Sequence, residues 1–195
     1  MLWHAVRALC VPRVETVFVV LAPDDQVFAT YDWSAFGERV QPLYCGGETR
    51  RDSVYNGLVA AMAVLEADDW MLVHDAARPC LPAKDLDNLM RELEGDEVGG
   101  ILALPVVDTL KKVSANRVQS TEERAQFWLA QTPQMFRAGL LAQALAAARG
   151  SPTDEAAAVE QLGLKPRVVA GSRENLKVTW PEDVAIAEAI LARRA

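Results

Sequence analysis

Several kinds of residue are scarce in this chain of 195 residues, and each scarcity closes off a class of chemistry. There are only two histidines, His4 and His74. A Ser-His-Asp triad or a structural zinc site is therefore poorly supported. The three cysteines, Cys10, Cys45 and Cys80, are odd in number and widely spaced. They fit reduced thiols in the cytoplasm and match no zinc pattern. No apolar run is long enough to span a bilayer. The start, Met1-Leu2-Trp3-His4, lacks a basic segment followed by an apolar one, so neither a signal peptide nor a membrane partner is expected. Positive charge is in the minority, with 20 Lys and Arg against 27 Asp and Glu and a net charge of −7. Nonspecific nucleic-acid binding needs a basic footprint, so no nucleic-acid partner is expected. A few clustered arginines can still hold a small anion.

What is present reads as one globular domain. Hydrophobic residues make up 51% and charged residues 24%, and the length allows a sizeable core. No repeat or linker divides the chain. The spacing predicts a helix over Leu2 to Leu9, ended by Pro12. A β-branched run from Glu15 to Leu21 predicts a strand. Residues 26–38 predict a short helix and loop, and Val40 to Tyr44 a strand. Asp52 or Ser53 is expected to cap a helix with Val54, Leu58, Met62 and Leu65 on its apolar face. Trp70 to Val73 is expected as a strand, Lys84 to Glu94 as a helix and Gly99 to Leu104 as a buried strand. This alternation implies a mostly parallel sheet covered by helices on both faces.

The pattern changes over residues 106–131. Thr109 to Val113, Arg117 to Ser120 and Phe127 to Ala130 read as a β-rich arm, of a kind that often contacts a second subunit. Helices are then expected from Arg137 to Ala148 and from Thr153 to Leu162. Strands follow at Pro166 to Ala170 and Glu174 to Val178. A final helix should run to Arg194, boxed by Thr179 and Glu182, with Val184, Ala187, Ile190 and Leu191 inward.

Five stretches could carry chemistry. In Cys45 to Ser53, two glycines, two arginines and a following helix N-terminus suit a phosphate or a nucleobase edge; a solvated loop is the alternative. Asp75-Ala76-Ala77-Arg78, at the end of the Trp70 strand, is either one wall of a ligand site or a solvated ion pair. Pro105 to Thr109 is a polar strand end. Thr132-Pro133-Gln134 reads as a proline turn exposing a hydroxyl and an amide. Lys177, between Leu176 and Val178, points outward from a strand end, where a lone lysine is usually plain surface. Open α/β sheets bind ligands at such strand ends. No nucleophile with a nearby base is evident. The set suits a reaction that needs positioning and charge stabilisation, such as nucleotidyl transfer to a phosphate monoester.

Taken in order, these motifs resemble one family. They are Gly46-Gly47-x-x-Arg50-x-Asp52-Ser53-Val54, Val73-His74-Asp75-Ala76-Ala77-Arg78-Pro79, Pro105-x-x-Asp108-Thr109, Thr132-Pro133-Gln134, Thr153-Asp154-Glu155-Ala156 and Asn175-x-Lys177-Val178-Thr179. Together they resemble the 2-C-methyl-D-erythritol 4-phosphate cytidylyltransferases of the non-mevalonate isoprenoid pathway. The resemblance implies a Rossmann-like α/β fold and a cytoplasmic, Mg²⁺-dependent enzyme that joins CTP to methylerythritol phosphate. It implies that Gly47, Glu48, Arg50, Ser53, Asp75, Ala76, Ala77 and Arg78 hold CTP on its cytosine and ribose side. The family usually has Asp where this chain has Glu48. Thr109, Arg124, Thr132, Thr153 and Lys177 would bind the methylerythritol phosphate, with Arg124 and Lys177 as catalytic residues orienting its phosphate. Metal ligands stay unassigned. The arm would reach across a homodimer, so that Arg124 serves the partner's site.

In the family a strand, a glycine-rich turn resembling PAAGxGxRM and a Pro-Lys-Gln segment grip the triphosphate. This chain starts within the helix that follows them. The expectation is therefore a single domain over 1–195, truncated at its N-terminus relative to the family. Two strand edges should be exposed and turnover impaired. A cytidylyltransferase for another polyol phosphate, such as ribitol 5-phosphate, and a non-catalytic relative of the same fold are the alternatives.

Overall fold

The computed structural model describes residues 1–194. It opens with α1 (Leu2–Leu9), β1 (Val17–Val20), two 3₁₀ segments (Phe28–Thr30 and Ser34–Arg39), β2 (Val40–Leu43) and α2 (Arg50–Ala61). Next come β3 (Trp70–Val73), α3 (Ala83–Leu93), β4 (Gly100–Pro105), β5 (Leu110–Ser114) and β6 (Arg117–Glu122). A 3₁₀ turn (Arg124–Gln126), β7 (Trp128–Arg137), α4 (Ala138–Ala147), α5 (Glu155–Glu160), β8 (Arg167–Ala170) and α6 (Pro181–Ala192) complete it. No helix among the described residues is long and apolar enough to cross a membrane.

The strongest periodicities become elements within a residue or two of where they were read. In α3, Leu86, Leu89, Met90 and Leu93 recur at helical spacing and all are buried. In β1 the run Val-Phe-Val-Val alternates buried and half-buried, as a pleated strand must.

The fold is α/β with helices on both faces, but the sheet is more mixed than expected. β1 and β2 pair in parallel, whereas the larger sheet has the order β3-β7-β4-β8. β4 and β8 are parallel, and β7 runs antiparallel to both of its neighbours. The reason lies in the connection. The chain travels from β4 to β7 through β5 and β6, with no crossover helix, and a parallel return needs one. The arm itself is an antiparallel hairpin of β5 and β6, turned by Ala115 and Asn116 in left-handed conformation. Phe127 to Ala130 is not a third piece of the arm, because it lies in β7 or directly before it.

Other expectations are corrected. Thr132-Pro133-Gln134 is no exposed turn; it lies buried within β7. The proline is tolerated there because the β4–β7 register shifts beside it, between Ile101 and Ala103. Glu174 to Val178 forms no strand; its backbone meets the turn after β3 at Val178 N–H to Ala77 O, 2.8 Å. α2 begins earlier than expected. Thr49, not Asp52 or Ser53, is its cap and accepts from the Asp52 N–H at 3.1 Å. α6 is closed by Asp183 rather than by Thr179 and Glu182. Its carboxylate accepts from the backbone of Thr179 and Trp180 at 2.9 and 2.8 Å. Val184 faces solvent, while Ala187 and Ile190 are buried.

β7 divides the core. Phe136 packs with Leu141, Leu145 and Val159 on one side, and Met135 packs with Leu86, Leu89, Leu102 and Val169 on the other. The sheet stops between β1 and β3. β1 has only β2 as a partner, and β3 has only β7. The space between them is a channel of about 560 Å³, walled by both strands and by the apolar faces of α1 and α2. The expected pair of exposed strand edges is therefore present among the described residues.

Candidate active site

The channel ends in a cluster of charge. The turn after β3 lifts Asp75 off the strand, and its two carboxylate oxygens are shared between two cations. Arg50, at the start of α2, donates from Nε to Oδ1 at 2.9 Å. Lys177 brings its Nζ to 3.0 Å from Oδ2. The other end of Arg50 forks onto Glu155, the first residue of α5, at 2.7 and 3.1 Å. Glu155 is 1% exposed and Asp75 13%, whereas Arg50 and Lys177 are 36% and 47% exposed. The order Glu155, Arg50, Asp75, Lys177 alternates in sign, and the bidentate fork fixes the guanidinium plane. Burial alone would raise Asp75, but the charges of Arg50 and Lys177 outweigh it and hold the carboxyl below its ordinary value. Burial likewise opposes the charge on Arg50, and Glu155 and Asp75 overcome it, so the guanidinium stays charged.

The loop before α2 lies beside this chain of charges. The Gly47 N–H donates to Ser53 Oγ at 3.0 Å, and Ser53 Oγ donates to Thr49 O at 3.0 Å. Gly46 must be glycine: a side-chain carbon there would stand 2.8 Å from Leu21 O, which its own N–H already bonds at 2.7 Å. Glu48 and Ala76 are exposed and Ala77 is half-buried.

Not every expected residue faces the site. Arg78 is buried, and its guanidinium donates to the backbone oxygens of Asn175 and Ala130 at 2.7 and 3.4 Å. It ties the β3 turn to the Lys177 segment. Arg51 turns away and donates to Leu145 O in α4. Thr132 is buried beside His74 and Asp75. Thr153 is exposed beside the start of α5. Thr109 and Arg124 are exposed at the base of the arm, where Arg124 donates to Val107 O at 2.6 Å.

Sequence reasoning missed three supports. Glu155, expected only as part of a helix start, clamps Arg50. Gln134 bridges the start of α5, donating to Asp154 Oδ2 and accepting from the Ala156 N–H, both at 2.9 Å. His74 holds the β3 turn. An acid directly after the capping Asp154 was the one signal that could have raised Glu155.

Comparison with known proteins bears on this geometry. The sequence model for 2-C-methyl-D-erythritol 4-phosphate cytidylyltransferase matches residues 1–193. The chain belongs to that cytidylyltransferase family. A 2-C-methyl-D-erythritol 4-phosphate cytidylyltransferase of Dechloromonas aromatica is 55% identical over 196 residues, covering 100% of this chain and 86% of that protein. The cytidylyltransferase of Nitrosospira multiformis is 54% identical, covering 98% of this chain and 84% of its own length. Among solved structures, a 4-diphosphocytidyl-2C-methyl-D-erythritol synthase superposes with a TM-score of 0.89 at 39% identity, over 97% of this chain and 89% of that one. The Thermus thermophilus cytidylyltransferase gives 0.81 at 31% identity, over 98% and 88%. In cytidylyltransferase terms, the charges gathered at the channel end bring together Arg50, Asp75 and Lys177 from three motifs that are distant in sequence.

Proposed function

We propose that the chain transfers a cytidylyl group from CTP to 2-C-methyl-D-erythritol 4-phosphate in non-mevalonate isoprenoid synthesis. The observation that carries the reading is the Arg50–Asp75–Lys177 chain, at 2.9 and 3.0 Å, in a member of this family. An oxygen of the acceptor phosphate attacks the α-phosphorus of CTP. A new P–O bond forms, the bond to the β-phosphate breaks, and pyrophosphate leaves. The attacking phosphate is already ionised, so no general base is needed and positioning carries the rate. Gly47, Glu48, Arg50, Ser53, Asp75, Ala76 and Ala77 border the CTP side, with Arg78 bracing their turn. Lys177 is half-exposed and poised on Asp75, from which it can turn to a substrate phosphate. Thr153, Thr132, Thr109 and Arg124 complete the acceptor side.

Mg²⁺ belongs to the proposal. Among the described residues, no group of three or more His, Cys, Asp or Glu side chains could enclose a metal ion. Both Asp75 oxygens are engaged by Arg50 and Lys177, which suits an Mg²⁺ held through the phosphates of CTP. When bound with CTP, the ion neutralises phosphate charge.

The domain reading is a single nucleotidyltransferase unit in which the family's N-terminal strand fills the channel and its glycine-rich turn meets the triphosphate. The two unpaired edges and apolar walls of the channel support it. The proposal also includes a homodimer through the arm, with Arg124 serving the partner. Exposed Val107, Val113, Val118, Phe127, Trp128 and Leu129 concentrate on the arm and its base, which supports this. Three unpaired cysteines support the cytoplasm as its place.

The test is pyrophosphate release from CTP, methylerythritol phosphate and Mg²⁺, with ribitol 5-phosphate as a competing acceptor. Two forms are compared: this chain, and the chain extended by a relative's N-terminal strand and glycine-rich turn. The extended form should turn over at least about tenfold faster, and Lys177→Met should lower kcat/KM by about a hundredfold or more. No release from the extended form, or a preference for ribitol 5-phosphate, would sink the reading.

A further inference from the structure

His74 stands next to Asp75 but takes no part in the chain of charges. Its ring is held at both nitrogens. Nε2 lies 3.0 Å from Arg78 O, and Nδ1 lies 3.0 Å from Thr132 Oγ1. The same Thr132 oxygen accepts the Asp75 N–H at 3.0 Å.

These contacts leave one consistent set of protons. A carbonyl oxygen only accepts, so Nε2 must carry a proton to meet Arg78 O. Burial lowers His74 to about 4, against the opposing pull of the Arg78 carbonyl and the Asp75 charge, so the ring is neutral near pH 7. Nδ1 is then an acceptor. Thr132 Oγ1 already receives the Asp75 proton, so its own proton goes to Nδ1.

We propose that His74 is a positioning residue: anchored through Nε2 on the Arg78 carbonyl, it accepts the Thr132 hydroxyl hydrogen bond at Nδ1, turns that oxygen onto the Asp75 N–H, and so holds Asp75 where Arg50 and Lys177 meet. The consequence reaches the substrate. While the ring is neutral, Thr132 has no proton to give a phosphate. It serves the site through Asp75, and donation to the acceptor falls to Lys177 and other exposed groups. The inference rests on the cytidylyltransferase reading only in placing Asp75 against CTP.

Nitrogen-15 NMR of the histidine rings in the intact chain tests the geometry without any substrate. The chain has two histidines, so His74 is identified by its loss in a variant. Its ring should stay protonated at Nε2 and bare at Nδ1 from neutral pH down to about pH 5, and Thr132→Val should shift its Nδ1 resonance. Calorimetry with Mg²⁺ and CTP tests the consequence. His74→Gln, which can mimic Nε2 but not Nδ1, and Thr132→Val should each weaken CTP at least about fivefold. His74→Asn, whose amide oxygen can stand where Nδ1 stood, should restore it to within about twofold, and the Gln and Val changes combined should cost no more than either alone. A His74 ring that titrates near its ordinary 6.5, or whose Nδ1 ignores Thr132→Val, overturns the proposal. Equal weakening by Asn and Gln overturns it as well. If the unaltered chain binds no CTP, the calorimetry uses the extended form, whose failure to bind would instead strike the cytidylyltransferase reading, and the ring resonances would still decide the role of His74.

Discussion

At the scale of single residues, the site is governed by which charges are buried together. Glu155 is almost inaccessible and would be costly unpaired, so its bidentate hold on Arg50 is obligatory. The Nε–H of Arg50 lies clear of that fork, and Asp75 takes it. Asp75 in turn leaves one oxygen for Lys177. His74 adds a pH dependence whose sign follows from its value of about 4 against an ordinary 6.5. Between those values the unfolded chain takes up a proton at this ring and the folded chain does not, so stability falls as pH drops from 6.5 towards 4. The span corresponds to at most about 3 kcal/mol. Asp75 is held below its ordinary value, so its contribution is full above that value and is lost at still lower pH, as the folded carboxyl protonates. Urea midpoints measured from about pH 7.5 to about pH 4.5 should therefore fall. His74→Asn should flatten the slope, leaving the share of His4, which burial also lowers. A midpoint that does not move over this range contradicts the placement of His74.

At the scale of elements, α2 does two jobs. Its first turn delivers Arg50 to the site, and its middle closes on β1. The contact depends on Gly57, where a side-chain carbon would lie 2.3 Å from Val20 Cγ2. A valine is stiff about its first torsion and cannot swing that methyl aside cheaply. Gly57→Ala should therefore push α2 away from β1, destabilising the fold by about 1–3 kcal/mol through overpacking. Because α2 also carries Arg50, CTP affinity should fall with it. Thermal melting and calorimetry together check this, and a variant as stable as the parent would mean that α2 is looser on β1 than described. β7 has a comparable double role. It separates the two halves of the core through Met135 and Phe136, and it carries Thr132 and Gln134 to the site.

At the scale of the whole molecule, the apolar surface is uneven. The hairpin of β5 and β6 pairs only with itself in the sheets, and large hydrophobic side chains are exposed along it and at its base. Phe127, Trp128 and Leu129 are 45%, 44% and 57% exposed in succession, an apolar run that fits the proposed dimer. Sedimentation should find a dimer. Trp128→Glu combined with Leu129→Glu should shift it to monomer with the circular dichroism unchanged. If Arg124 serves the partner's site, the monomer should also lose most of its turnover. A parent chain that sediments as a monomer at all concentrations would end the dimer proposal.

The sequence by itself determined what depends on neighbours along the chain. α3 and β3 were legible because burial of one face leaves a periodicity that needs no tertiary knowledge. The motifs around Gly47, Asp75 and Lys177 were legible as residue types at fixed spacing. The tertiary structure decided what depends on partners far away in sequence. Thr132-Pro133-Gln134 had the composition of a turn and became a buried strand, because β7 had to return antiparallel between β3 and β4 and the register shift on β4 made room for its proline. Arg78 looked like a ligand residue and became a brace, because its carbonyl partners come from β7 and the Asn175 segment. The local pattern around Lys177 reads as plain surface and only the family resemblance marks it; the tertiary structure sets it 3.0 Å from Asp75. The Arg50–Glu155 fork joins positions 105 residues apart. No local pattern carries such a pairing, since a charge is stabilised by whatever folding brings within a few ångströms of it, and periodicity records only which side of an element is dry.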